Sequence, residues 1–175
     1  LIGGSDANKA YNLSYSITFK GSLVLEALQY AVKTLVHRHE SLRASFSSDG
    51  IFMNIHKELK IEILINDISQ LEPKAKEEAK DFIINEEVNS LFDLVNDPLF
   101  KIKLIKIDDR ENIVILTHHH IIADGLGIYI IIEELSKLYS AFIENTIPEL
   151  TKPDLFSEYA KNVNSLVETN EYKAI

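Results

Sequence analysis

An α/β fold of the α+β sandwich kind, with a mostly antiparallel sheet and helices packed on it, is predicted by three features of the chain. Apolar and polar residues alternate over Leu13–Gly21, apolar residues recur at three- and four-residue spacing over Leu23–His39, and two runs rich in β-branched residues flank "DDRE". The length of 175 residues fits one domain, and 46% hydrophobic residues is enough for a real core.

Each element follows in order. "LSYSITFKG" reads as a half-buried strand, and Gly21-Ser22 offers a break and an N-cap before a helix from Leu23 to His39. In that helix Leu25, Leu28, Val32, Leu35 and Val36 form the apolar stripe. "SSDG", Ser47–Gly50, is turn chemistry between "RASF" and "IFMNI", which predicts a hairpin. "KIEILIND" is a further strand candidate, and Pro73 opens a helix whose charged residues form a solvated face. Leu99–Ile107 and Asn112–His119 predict an antiparallel hairpin. A helix follows over Gly127–Ile143, then Pro148 and Pro153 punctuate a looser segment before a last helical stretch. Leu28, Leu35, Ile115 and Ile131 are expected in one core, with the helices Leu23–His39 and Gly127–Ile143 on one face of the sheet.

Composition narrows the function. Twenty-seven acidic residues against 18 basic ones give a charge of −9, which argues against nucleic-acid or anionic-membrane partners. The absence of cysteine removes disulfides, thiolate nucleophiles and Cys-type zinc sites, and fits a cytoplasmic location. No run approaches the roughly 18 apolar residues of a membrane span. The opening without methionine predicts a piece of a longer polypeptide. No GxSxG elbow, complete dinucleotide fingerprint or GxxxxGK[ST] loop occurs.

The chemistry gathers at "THHHIIADG", Thr117–Gly125. Strand alternation places His118 and His120 on one side and His119 on the other, so all three cannot meet one ion, and no metal site is expected. Two readings of the residues stand. A histidine beside an apolar strand is often a satisfied core residue, and an Asp before a helix an N-cap. A histidine ending a strand ahead of a tight Asp-Gly turn can also present a neutral imidazole to a cleft, with Asp124 fixing the turn from behind.

"HHIIADG", His119–Gly125, matches the signature HHxxxDG, and "RHESLRASF", Arg38–Phe46, is similar to RHExLRTxF apart from Ala44 and Ser45. "YNLSYSITFKG", "FDLVNDPLFKIKLI" and "DLFSEYA" agree with further motifs in the same order from Tyr11 to Ala160. On these grounds the chain resembles the condensation domains of nonribosomal peptide synthetases, within the chloramphenicol acetyltransferase-like group. That family has two lobes of similar fold with the active site between them. The chain resembles the amino-terminal lobe, with residues 1–150 as its core and 151–175 leading to a second, carboxy-terminal lobe. The earliest family motif, SxAQxR, is missing.

The resemblance implies that His120 faces a tunnel entered by the phosphopantetheine arms of donor and acceptor peptidyl carrier domains, with no cofactor bound directly. The reaction would be aminolysis of an acyl or peptidyl thioester, with His120 as base or as positioning group. His119 would be structural, Asp124 would form a salt bridge with Arg43, and Gly125 would let the backbone pass close to the site. Arg38, His39 and Glu40 would be helix-end framework. Leu126-Gly127 stands where many members have Trp-Ser, so the donor subtype stays open. The alternatives are a non-catalytic docking module and a stand-alone acyltransferase with a coenzyme A or lipid donor. The fragment alone is expected to be inactive.

Overall fold

β1 (Asn12–Lys20), the first alternating stretch, runs antiparallel to β6 (Glu111–His119), with Asn12 opposite His119 and Lys20 opposite Glu111. On its other side β6 runs antiparallel to β5 (Phe100–Lys106), completing the predicted hairpin. β5 runs parallel to β4 (Ile63–Asp67), so the sheet has the order β1-β6-β5-β4 and one parallel pair. β2 (Ala44–Phe46) and β3 (Met53–Ile55) form a separate antiparallel ribbon. Its connection holds Gly50 at φ +73°, a left-handed conformation that glycine adopts without strain. The structure, a computed structural model, describes residues 9–167. The two ends, including the last part of the segment expected to lead to a second lobe, lie outside the described residues.

Helix α1 (Leu25–Arg38) and helix α3 (Gly125–Glu144) pack together on one face of the sheet, and Leu28, Leu35, Ile131 and Leu138 join Phe100, Val114 and Leu116 in the main core. Ser22 is not the N-cap of α1. That position falls to Val24, whose N–H donates to the Tyr139 hydroxyl at 2.9 Å, so a side chain of α3 satisfies the helix end.

Ile115 departs from expectation: it is buried, but in a second core with Ile68, Ile105 and Ile113. The cause is the twofold strand period, which turns Ile113 and Ile115 away from Val114 and Leu116. Helix α2 (Pro73–Val88) covers that second face with Ala79, Ile83 and Ile84. It lies between the parallel strands β4 and β5, as parallel neighbours need a crossover. An ion pair between the half-buried Lys103 and the buried Glu87, at 2.7 Å, fastens α2 to β5. Covered on both faces and paired on both edges, β6 is buried from Asn112 to His119.

The chain leaves α3 at Asn145, which takes the left-handed C-terminal conformation at φ 52°. It then runs back past the start of α3 to helix α4 (Phe156–Val167). Among the described residues no helix is long and apolar enough to cross a membrane.

Candidate active site

The three histidines at the end of β6 occupy three environments. His118 is fully buried, its ring stacked on Tyr15 with Nε2 3.1 Å from the carbonyl oxygen of Ala123. Its Nδ1 has no hydrogen-bond partner. His119 is 6% exposed, lies edge-on to Phe92 and beside Tyr11, and accepts the N–H of Ile121 on Nδ1 at 3.2 Å. Burial pushes both pKa values below the ordinary histidine range, because a charge there has lost its water. Both rings are therefore neutral near pH 7, and His119 carries its proton on Nε2.

His120 differs from both. β6 ends at His119, so strand alternation no longer sets the direction of His120 and does not pair it with His118. Its own N–H donates to the Tyr11 carbonyl at 2.7 Å, which anchors the backbone, while the side chain is exposed. The turn closes when the N–H of Ile122 donates to the His119 carbonyl at 3.1 Å.

Asp124 and Gly125 form a helix start, not the tight turn expected of them. Asp124 is the N-cap of α3, its carboxylate accepting the N–H of Gly127 at 2.8 Å. That bond, helped by the N–H of Leu126, holds the carboxyl below the usual carboxylate range. Gly125 brings no close approach: a Cβ there would meet nothing within 4 Å. The glycine with neighbours is Gly127, where a Cβ would come within 3.2 Å of the Ala123 Cβ.

The expected salt bridge between Arg43 and Asp124 is not formed. Arg43 donates to the carbonyls of Val36 at 2.9 Å, His37 at 3.3 Å, Lys57 at 3.2 Å, and His56. Val36 and His37 belong to the last turn of α1, whose carbonyls have no helical partner, and a cation at that end also suits the helix dipole. Each of the two residues is satisfied locally, so neither seeks the other.

Between His120, the first turns of α3, the end of α1 and residues 151–154 lies a cleft of about 550 Å³. Its walls include His39, Ser41, Asp124, Glu134, Lys152 and Asp154. Glu134, which sequence reasoning missed, is 7% exposed and is the hub of this wall. Its carboxylate accepts from Arg38 Nε and Nη2, both at 3.1 Å, and lies 2.8 Å from His39 Nε2. Arg38 also donates to the Thr151 carbonyl at 2.7 Å, and Glu40 accepts from the backbone N–H and hydroxyl of Ser157 at 2.8 and 3.1 Å. Arg38, His39 and Glu40 thus join α1 to α3 and tie down the segment that borders the cleft. The signal for Glu134 was its spacing, three residues after Ile131 and four before Leu138, on the buried stripe of α3.

Such an arrangement offers one exposed imidazole on a braced turn, in the lining of a cleft whose walls are mixed, with Ile121, Ile130 and Pro153 beside the polar groups. It can accept or donate a proton, or orient a bound group. Among the described residues no group of three or more His, Asp or Glu is placed to hold a metal ion.

Residues 4–174 match the condensation-domain family, and the chain belongs to that family. It is 30% identical over 177 residues to bacitracin synthase 1 of Bacillus licheniformis, covering 99% of this chain and 3% of that protein. To surfactin synthase subunit 1 of Bacillus subtilis (strain 168) it is 37% identical over 136 residues, 77% of this chain and 4% of that one. The fold, chloramphenicol acetyltransferase-like, is also that of the starter condensation domain of rhizomide synthetase: TM-score 0.84, 20% identity, over 93% of this chain and 39% of that one. The chain therefore spans a few per cent of the curated relatives it matches and about two fifths of this solved domain.

Proposed function

We propose that the chain is the amino-terminal lobe of a condensation domain that forms peptide bonds between carrier-bound substrates, with His120 as its catalytic residue. The observation that carries this reading is the contrast among the three histidines: His118 and His119 are buried, and only His120 turns an imidazole out beside the cleft. Its place in the HHxxxDG signature and the similarity to peptide synthetases support the reaction class.

In that reaction the α-amino group of the acceptor thioester attacks the donor thioester carbonyl. A C–N bond forms and the C–S bond breaks, leaving the lengthened acyl chain on the acceptor and a free thiol on the donor. The attacking nitrogen must lose a proton and the departing sulfur must gain one. A neutral imidazole nitrogen at His120 accepts the first and can return it to the thiolate, so protons balance without a net change at the enzyme. The same ring can also hold the amine in line with the carbonyl. Substrates arrive on the phosphopantetheine arms of donor and acceptor carrier domains, and the carboxy-terminal lobe supplies the facing wall.

The test is single-turnover condensation by the complete domain, with loaded donor and acceptor carriers, comparing wild type with His120→Ala. A fall of about a hundredfold or more is expected for a general base. Undiminished turnover in the variant would remove His120 from the mechanism.

A further inference from the structure

His118 stands outside the signature, yet it is the most fully enclosed of the three histidines, at 0% exposure. Filling the space does not require an imidazole; a leucine or phenylalanine would pack against Tyr15 and leave no orphan nitrogen. What the imidazole adds is one directed bond. The Ala123 carbonyl can only accept, so Nε2, 3.1 Å away, carries the proton, and Nδ1 is left bare and unpartnered in the interior. A buried acceptor left unsatisfied is a cost that the Nε2 bond must offset.

The position of that bond explains its use. Ala123 immediately precedes Asp124, the N-cap of α3, while His118 lies near the end of β6, opposite Leu13 and Phe100. The bond therefore closes a short loop that begins in the sheet, ends at the helix and contains His120. Two backbone bonds, His120 N–H to Tyr11 and Ile122 N–H to His119, hold the near side of the turn; the His118 side chain ties the strand to its helix side.

We propose that His118, as the neutral Nε2–H tautomer, is a positioning residue that clamps the turn carrying His120 to the start of α3. This rests on the reading of His120 as the catalytic group. The clamp acts through the backbone of Ala123, so it governs where the His120 imidazole sits without touching substrate.

The experiment compares the complete condensation domain as wild type, His118→Gln and His118→Leu. Glutamine reaches far enough to donate to the Ala123 carbonyl; leucine fills the space without a donor. For His118→Leu we expect kcat to fall about tenfold, the scale of one lost hydrogen bond, with KM for both loaded carriers unchanged. The amides of Ile121–Asp124 should exchange hydrogen about tenfold faster. His118→Gln should recover most of both effects. Leucine matching wild type in rate and exchange, or glutamine failing as badly as leucine, overturns the clamp. A readout on the wild type guards against a misfolded variant: ring ¹⁵N shifts at pH 7 should show His118 protonated on Nε2 and bare on Nδ1, and the opposite tautomer also overturns it. A wild-type domain that condenses nothing counts against the reading of His120, while exchange and tautomer still decide the clamp.

Discussion

A guanidinium presents five N–H donors in a planar fork, and at Arg43 four of them go to backbone carbonyls of two separate segments. Lysine cannot span that set. Arg43→Lys should destabilise the chain by about 1–2 kcal/mol in urea titration, since charge is kept but directed bonds are lost. Because Asp124 is occupied by the N–H groups opening α3, alanine substitutions at Arg43 and Asp124 should be additive in a double-mutant cycle, whereas a direct ion pair would show coupling. The buried histidines make a separate prediction. Both folded pKa values are depressed, so the unfolded chain binds protons more readily at mildly acid pH. The stability they preserve is whole above the unfolded value, about 6.5, and is lost as pH falls from there through the folded values. The urea midpoint should drop between about pH 7 and pH 5, and His118→Phe should flatten the decline; an unchanged profile would contradict it.

Among the elements, the junction of α1 and α3 depends on one carboxylate. Removing it leaves the partly buried Arg38 and His39 without their shared acceptor, so Glu134→Ala should cost about 2 kcal/mol, and Glu134→Gln, which keeps one acceptor oxygen, distinctly less. Thermal or urea unfolding of the two variants checks the order. The same junction shows what could be read in advance. Helices α1 and α3 and the β5–β6 hairpin were legible because period 3.6 and β-branched runs report burial directly. Which face of the sheet α2 would cover was not legible, because it depends on β4 and β5 being parallel, a pairing that no local pattern encodes. Glu133 and Glu134 look alike in "IIIEELSKLY"; the first reaches out to Lys137 at 2.7 Å and the second points into the junction. Helical position separates them, and composition does not. At the site, the HHxxxDG residues were legible as a group, but membership of two motifs did not mean contact between Arg43 and Asp124.

At the scale of the whole molecule, the surface around His120 carries exposed apolar side chains. Ile121 is 47% exposed and Ile130 41%, and both line the cleft with His120, while Leu126 at 69% and Tyr129 at 63% lie on the first turns of α3, on a chain with net charge −9. Exposed apolar residues grouped at a cleft suit a covering surface. In the proposed reaction that cover has a second use: a wall opposite His120 excludes water and holds the donor carbonyl in line with the amine, which an open face cannot do. The most direct test is acyl transfer between loaded carriers, followed by mass spectrometry of the acceptor carrier, with the present chain alone and with the complete domain in parallel. Lengthened acceptor from the complete domain and none from the chain alone is the predicted result. Efficient condensation by the chain alone would contradict the claim that His120 works only between two lobes.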